Sequence, residues 1–81
     1  MQIDVLLFAA VRDAAGNESI TVDVGDDARA SDVLAAIGRQ LPEVAGLLSS
    51  CRLAVDCCYV TSDEKVSADS ELALIPPVSG G

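Results

Sequence analysis

Apolar and polar residues alternate along two stretches near the start of the chain. Over residues 2–8, Ile3, Val5 and Leu7 fall on one side of an extended segment and Gln2 and Asp4 on the other, which predicts a strand. Leu6 and Phe8 break the segregation, because they stand on the nominally polar side. Residues 18–24 alternate more cleanly, with Ile20, Val22 and Val24 set against Ser19, Thr21 and Asp23. That pattern suits an antiparallel strand with one wet face. Between the two, the alanine-rich residues 9–15 suit a short helical turn, and Gly16-Asn17 supplies a turn after it.

The period then lengthens. Ala30, Val33, Leu34, Ile37 and Leu41 recur at the spacing of one buried helical stripe, predicting the main helix over about residues 29–40. Asp26, Asp27 and Asp32 gather near its positive end and Arg39 near its negative end. Pro42 forbids continuation and disfavours a helical conformation at Leu41. It also starts a second short helix over residues 43–49, with Val44, Leu47 and Leu48 expected inward. Strands are expected at 52–55, 58–61 and 72–75, with a turn at 62–65, a polar connection at 67–70, and Pro76-Pro77 ending the last strand.

The order β, β, α, β, β predicts an α+β fold: a mixed sheet of four to five strands with one main helix packed across one face. The first and last strands would lie side by side and parallel in its centre. Leu72 and Leu74 would then face inward, and Ala73 and Ile75 outward. Phe8 and Ile75 would share an exposed apolar patch, the kind of surface that marks an interface, with Arg12 beside it to meet an acid on a partner.

Composition narrows the function. The 81 residues make one domain, taken as residues 1–75, with residues 76–81 as a flexible tail. Apolar residues make up 51% and charged residues 22%, the balance of a folded globular chain. Thirteen acids against five bases give a net charge of −8, which repels phosphate backbones and argues against nucleic acid as a partner. It steers the chain toward basic surfaces instead. No apolar run approaches the ~18 residues of a membrane span, and no basic segment opens a signal peptide, so a cytoplasmic location is expected.

The three cysteines are odd in number, and Cys57 and Cys58 are adjacent, which argues against a disulfide framework. With no histidine and no CxxC pair, no metal site is expected. The cysteines are expected to serve as small buried or half-buried hydrophobes. The sequence also lacks a nucleophile–base pair, a P-loop and a glycine-rich strand–helix turn. The expectation is therefore no bound cofactor and no catalytic machinery within the chain alone.

The segment Pro76-Pro77-Val78-Ser79-Gly80-Gly81 is different in kind. Six extended residues reach about 20 Å. The prolines stiffen the base of this arm, and the glycines carry no side chain, so they can thread a narrow channel. The arrangement presents a bare terminal carboxylate deep inside a partner's pocket.

The stretch Ala73-Leu74-Ile75-Pro76-Pro77-Val78-Ser79-Gly80-Gly81 resembles the terminal signature of molybdopterin synthase small subunits, the MoaD family. Val5-Leu6-Leu7-Phe8-Ala9-Ala10-Val11-Arg12-Asp13 resembles that family's first strand, short turn and Arg–acid pair. Ala54-Val55-Asp56 is similar to its third strand, where Asn is commoner than Asp56. Asp69-Ser70-Glu71 departs from the usual Gly-Asp-Glu, and Ile75 stands where some members carry an aromatic residue.

The resemblance implies a ubiquitin-like β-grasp and a sulfur carrier. Gly81 would be adenylated by an ATP-using, E1-like adenylyltransferase and converted to a thiocarboxylate. The tail would enter the large synthase subunit, in a heterotetramer of two carriers and two large subunits. There it would give sulfur to cyclic pyranopterin monophosphate, building the dithiolene of molybdopterin for molybdenum cofactor biosynthesis. The competing readings are a carrier for thiamine, tRNA thiolation or cysteine synthesis, a ubiquitin-like protein modifier, and a plain interaction domain.

Overall fold

The structure is a computed structural model that describes residues 1–76. Strand β1 (Gln2–Leu7) leads into α1 (Ala9–Ala15) and β2 (Ser19–Asp23). The long helix α2 (Ala30–Gln40) and the one-turn α3 (Pro42–Ala45) follow. A 3₁₀ turn at Leu48–Ser50, β3 (Arg52–Val55), β4 (Cys58–Tyr59) and β5 (Leu72–Ile75) complete the order.

The five strands form one mixed sheet in the order β2-β1-β5-β3-β4. β1 pairs antiparallel with β2 and parallel with β5, and β5 pairs antiparallel with β3. The parallel neighbours β1 and β5 are those the order of elements predicted. Ile3, Val5 and Leu7 of β1, Ile20 and Val22 of β2, Leu53 of β3 and Leu72 and Leu74 of β5 all enter one buried cluster. Period-2 strands put every such residue on one face, and that face is where α2 packs.

The N-terminus of α2 is set by hydrogen bonds. The Arg29 N–H donates to the Asp32 carboxylate at 2.9 Å, and the Asp32 N–H donates back to the Arg29 carbonyl at 2.9 Å. Satisfying these otherwise unpaired donors is what a helix start requires. The backbones at Arg29 and Lys65 form an isolated antiparallel β-bridge, with the Ala30 N–H donating to the Glu64 carbonyl and the Val66 N–H to the Ala28 carbonyl, and Val66 is buried beside it.

Three expectations need correction. In α2 the fully buried residues are Ala30, Val33, Ala36 and Ile37, while Leu34 and Leu41 are only half-buried. Ala36 brings the helix close to the sheet, and the larger leucines flank the contact. Leu47 is exposed, not inward, because α3 stops after one turn at Gly46 and the helical period does not run on through residues 43–49. Cys57 and Cys58 are exposed, not buried, because they belong to the tight β3–β4 hairpin at the sheet edge. Cys51 alone is half-buried, and all three thiols are free.

Candidate functional site

The helices cover one face of the sheet. The other face carries the residues that broke the alternation rule. Strand register sets them in rows: Ser19 pairs with Leu6, Leu6 with Ala73, Ala73 with Ala54, and Ala54 with Tyr59. One line of side chains thus crosses all five strands. Its middle is two alanines, and Ala54 is buried without joining the inner core cluster, because larger neighbours overhang it. Small residues flanked by large ones make a groove of about 310 Å³, lined by Leu6, Phe8, Ala73, Ile75 and Tyr59.

Phe8 and Ile75 stand together at one end of this groove. Phe8 is 42% exposed and Tyr59 56%, high values for large apolar side chains. The backbone explains Phe8. It is extended (φ −131°, ψ 154°), and its carbonyl accepts the Val11 and Arg12 N–H groups at 3.2 and 3.3 Å. Helix α1 therefore begins directly off the end of β1. Ala9 takes a left-handed φ of 50° to make the corner. Gly16 ends α1 with φ 76°, its N–H donating to the Arg12 carbonyl at 2.9 Å, the usual left-handed helix end. Arg12, one turn after Phe8, lines a smaller depression of about 230 Å³ with Leu6, Phe8 and Glu18. Phe8 thus lies with Ile75 in the groove and with Arg12 in the depression beside it.

β5 runs parallel to β1, so Ile75 and Pro76 emerge at the same end of the sheet as Phe8. The base of the tail therefore leaves beside the groove. Of the expected tail residues, Pro76 is described and half-buried, while Pro77, Val78, Ser79, Gly80 and Gly81 lie outside the described residues.

The groove has charged ends. At the end away from the tail Glu71 lines the groove, and its backbone is held by Asp56, whose carboxylate accepts the Glu71 N–H at 2.9 Å and whose N–H donates to the Glu71 carbonyl at 2.8 Å. At the tail end, Arg52 pairs in register with Ile75 and lays its guanidinium over the Tyr59 ring, 4.7 Å from the centroid. Sequence reading missed Arg52 and Tyr59. The signal for them is a hairpin, and its two-residue turn is Asp56-Cys57, with φ 51° and 71°. Left-handed turns of this kind normally announce themselves by Asn-Gly or Asp-Gly. Without the glycine, the pairing that sets Tyr59 opposite Ala54 was not legible.

Among the described residues, no group of three or more His, Cys, Asp or Glu side chains is placed to hold a metal ion. Among the same residues, no helix is long and apolar enough to cross a membrane.

A mixed sheet crossed by one main helix, with its first and last strands parallel at the centre, defines the ubiquitin-like β-grasp. The chain belongs to the ThiS family, whose family model matches residues 5–81. It is 39% identical, over the full length of both chains, to the molybdopterin synthase sulfur carrier subunit of Chlamydomonas reinhardtii. The crystal structure of SAMP1, the small archaeal modifier protein 1 of Haloferax volcanii, superposes with a TM-score of 0.87 at 29% identity, covering all of both chains. A Helicobacter pylori complex of subunits 1 and 2 of molybdopterin-converting factor contains a chain of the same fold, with a TM-score of 0.69 at 20% identity over all of both chains.

Proposed function

We propose that this chain is the sulfur carrier of a molybdopterin synthase and that the carboxylate of Gly81 is its working group. The sulfur-carrier role follows from the family and from full-length similarity to molybdopterin synthase sulfur carrier subunits. The observation that carries the reading to a mechanism is where the tail starts: Ile75 and Pro76 leave the sheet beside an exposed apolar groove. A partner docked on Phe8 and Ile75 would receive Pro77, Val78, Ser79, Gly80 and Gly81 directly, with Arg12 at the rim of the contact.

A carboxylate is a poor electrophile until it bears a good leaving group, and the groove offers no group to activate one. Activation belongs to a partner adenylyltransferase that uses ATP. The Gly81 carboxylate attacks the α-phosphorus, pyrophosphate leaves, and the acyl adenylate forms. A sulfur nucleophile then displaces AMP, leaving the thiocarboxylate. That sulfur is soft, anionic and nucleophilic at neutral pH, so the carrier needs no side-chain catalyst to pass it on. The recipient is cyclic pyranopterin monophosphate in the large synthase subunit. The assembly is a heterotetramer in which each end of a large-subunit dimer receives one carrier.

A second reading, a protein modifier, is favoured by the similarity to the small archaeal modifier protein. Intact mass after incubation with ATP, a sulfur source and the native activating enzyme separates the two. A gain equal to one oxygen exchanged for sulfur is expected. A ladder of isopeptide conjugates, without that gain, would replace the carrier reading with the modifier.

A further inference from the structure

The docking groove carries a direction. Among the described residues no Lys or Arg side chain lies within salt-bridge distance of a carboxylate, and both ion pairs are made by the Met1 amino group. Arg52 is set apart by its seat: its guanidinium carbon lies over the Tyr59 ring, 4.7 Å from the centroid. A guanidinium held over an aromatic face still has N–H groups free to grip a carboxylate with two hydrogen bonds. Stacking also holds the long side chain in place before a partner arrives, which lowers the entropy cost of the contact.

Position makes this specific. Arg52 is level with Ile75, the last strand residue before the tail, while Glu71 lines the opposite end of the same groove. An apolar groove alone accepts a partner's apolar ridge in either direction. Opposite charges at its two ends favour one direction and penalise the reverse, since misplaced like charges repel.

We infer that the Arg52–Tyr59 pair is a specificity contact for a carboxylate on the large synthase subunit, and that with Glu71, which faces a basic side chain, it fixes the direction in which that subunit lies along the groove. The inference rests on the proposed function for the identity of the partner. Arg52 is the contact that aligns the emerging tail with the partner's channel.

The test uses the full-length chain and the large synthase subunit of the same organism, with binding measured by calorimetry at low and at high salt. Arg52→Gln should weaken binding about tenfold at low salt, and Arg52→Glu more, because removing one member of a desolvated pair strands the other. The gap between wild type and Arg52→Gln should narrow at high salt, as screening reduces the charge contact. Tyr59→Leu keeps apolar cover but removes the aromatic seat, and should give part of the loss. Arg52→Gln and Arg52→Glu binding like wild type at low salt would overturn the assignment while leaving the partner in place. So would a loss of equal size at both salt concentrations, which reports packing and not charge. A wild-type chain that does not bind the large subunit at all would bring down the functional reading, and this inference with it.

Discussion

Asp56 and Cys57 hold φ values of 51° and 71°, in a region that side-chain-bearing residues rarely adopt. Asp tolerates it, and the Asp56 carboxylate is secured by the Glu71 N–H. Cys57 has no such compensation, and a left-handed residue costs about 1 kcal/mol or more relative to glycine. Cys57→Gly should therefore raise stability by roughly 0.5–1 kcal/mol, readable as an upward shift of the urea midpoint at unchanged slope. A lower midpoint would mean that the thiol contributes contacts outweighing the strain. The three thiols should also separate chemically. Burial pushes Cys51 above its ordinary 9.0, and its Sγ lies 3.1 Å from the Leu47 carbonyl as a donor. Because the folded state holds that proton more tightly than the unfolded state, the associated stability is present below the unfolded pKa. It is lost as pH rises through the higher folded one. Timed alkylation near neutral pH should modify Cys57 and Cys58 before Cys51, and equal rates would contradict the half-buried placement.

The secondary-structure elements show how much of the fold was legible. Alternation in β1 and β2 was strong enough to identify both strands, and the two exceptions, Leu6 and Phe8, marked the second apolar face. The bounds of β3 and β5 were read to the residue, since Arg52 and Pro76 punctuate short apolar runs. What failed depended on tertiary context. Ala36 is buried because α2 sits close to the sheet, which no single-helix pattern reveals. Leu47 is exposed because the chain leaves helical geometry at Gly46. Of the groove's residues, Phe8 and Ile75 were legible from the alternation, but Arg52 and Tyr59 were not, because their meeting depends on a hairpin without a glycine. The outer face of β1 and β5 yields its own prediction. Phe8→Asp should leave the circular dichroism spectrum and the core unchanged, because Phe8 points away from the buried cluster. It should weaken binding to both the large subunit and the activating enzyme, since an unpaired charge in an apolar contact costs on the order of a few kcal/mol. Unchanged affinity by calorimetry would remove Phe8 from the interface.

At the scale of the whole molecule, the proposed function separates the folded part of the chain from its chemistry. β5 reaches into the core, where its Leu72 and Leu74 are fully buried. The proposed chemistry lies beyond it, on Gly81. Deleting Gly81 should leave thermal unfolding nearly unchanged, since chain termini are where change is best tolerated and Leu72 and Leu74 already sit in the buried cluster. It should nevertheless abolish sulfur acquisition. One residue shortens the arm by about 3.5 Å, which withdraws the carboxylate from the adenylation site. Attack on phosphorus tolerates little error, and a displacement of about 1 Å costs on the order of a hundredfold. Adding one alanine after Gly81 should be as harmful, since it overshoots the site and carries a Cβ into a channel fitted to glycine. Gly80→Ala should be milder, because the terminal carboxylate keeps its reach. The measurement is thiocarboxylate formation by intact mass, run beside thermal unfolding of each variant. A shortened chain that gains sulfur at the wild-type rate would show that the carrier group lies elsewhere, even with the β-grasp and its groove intact.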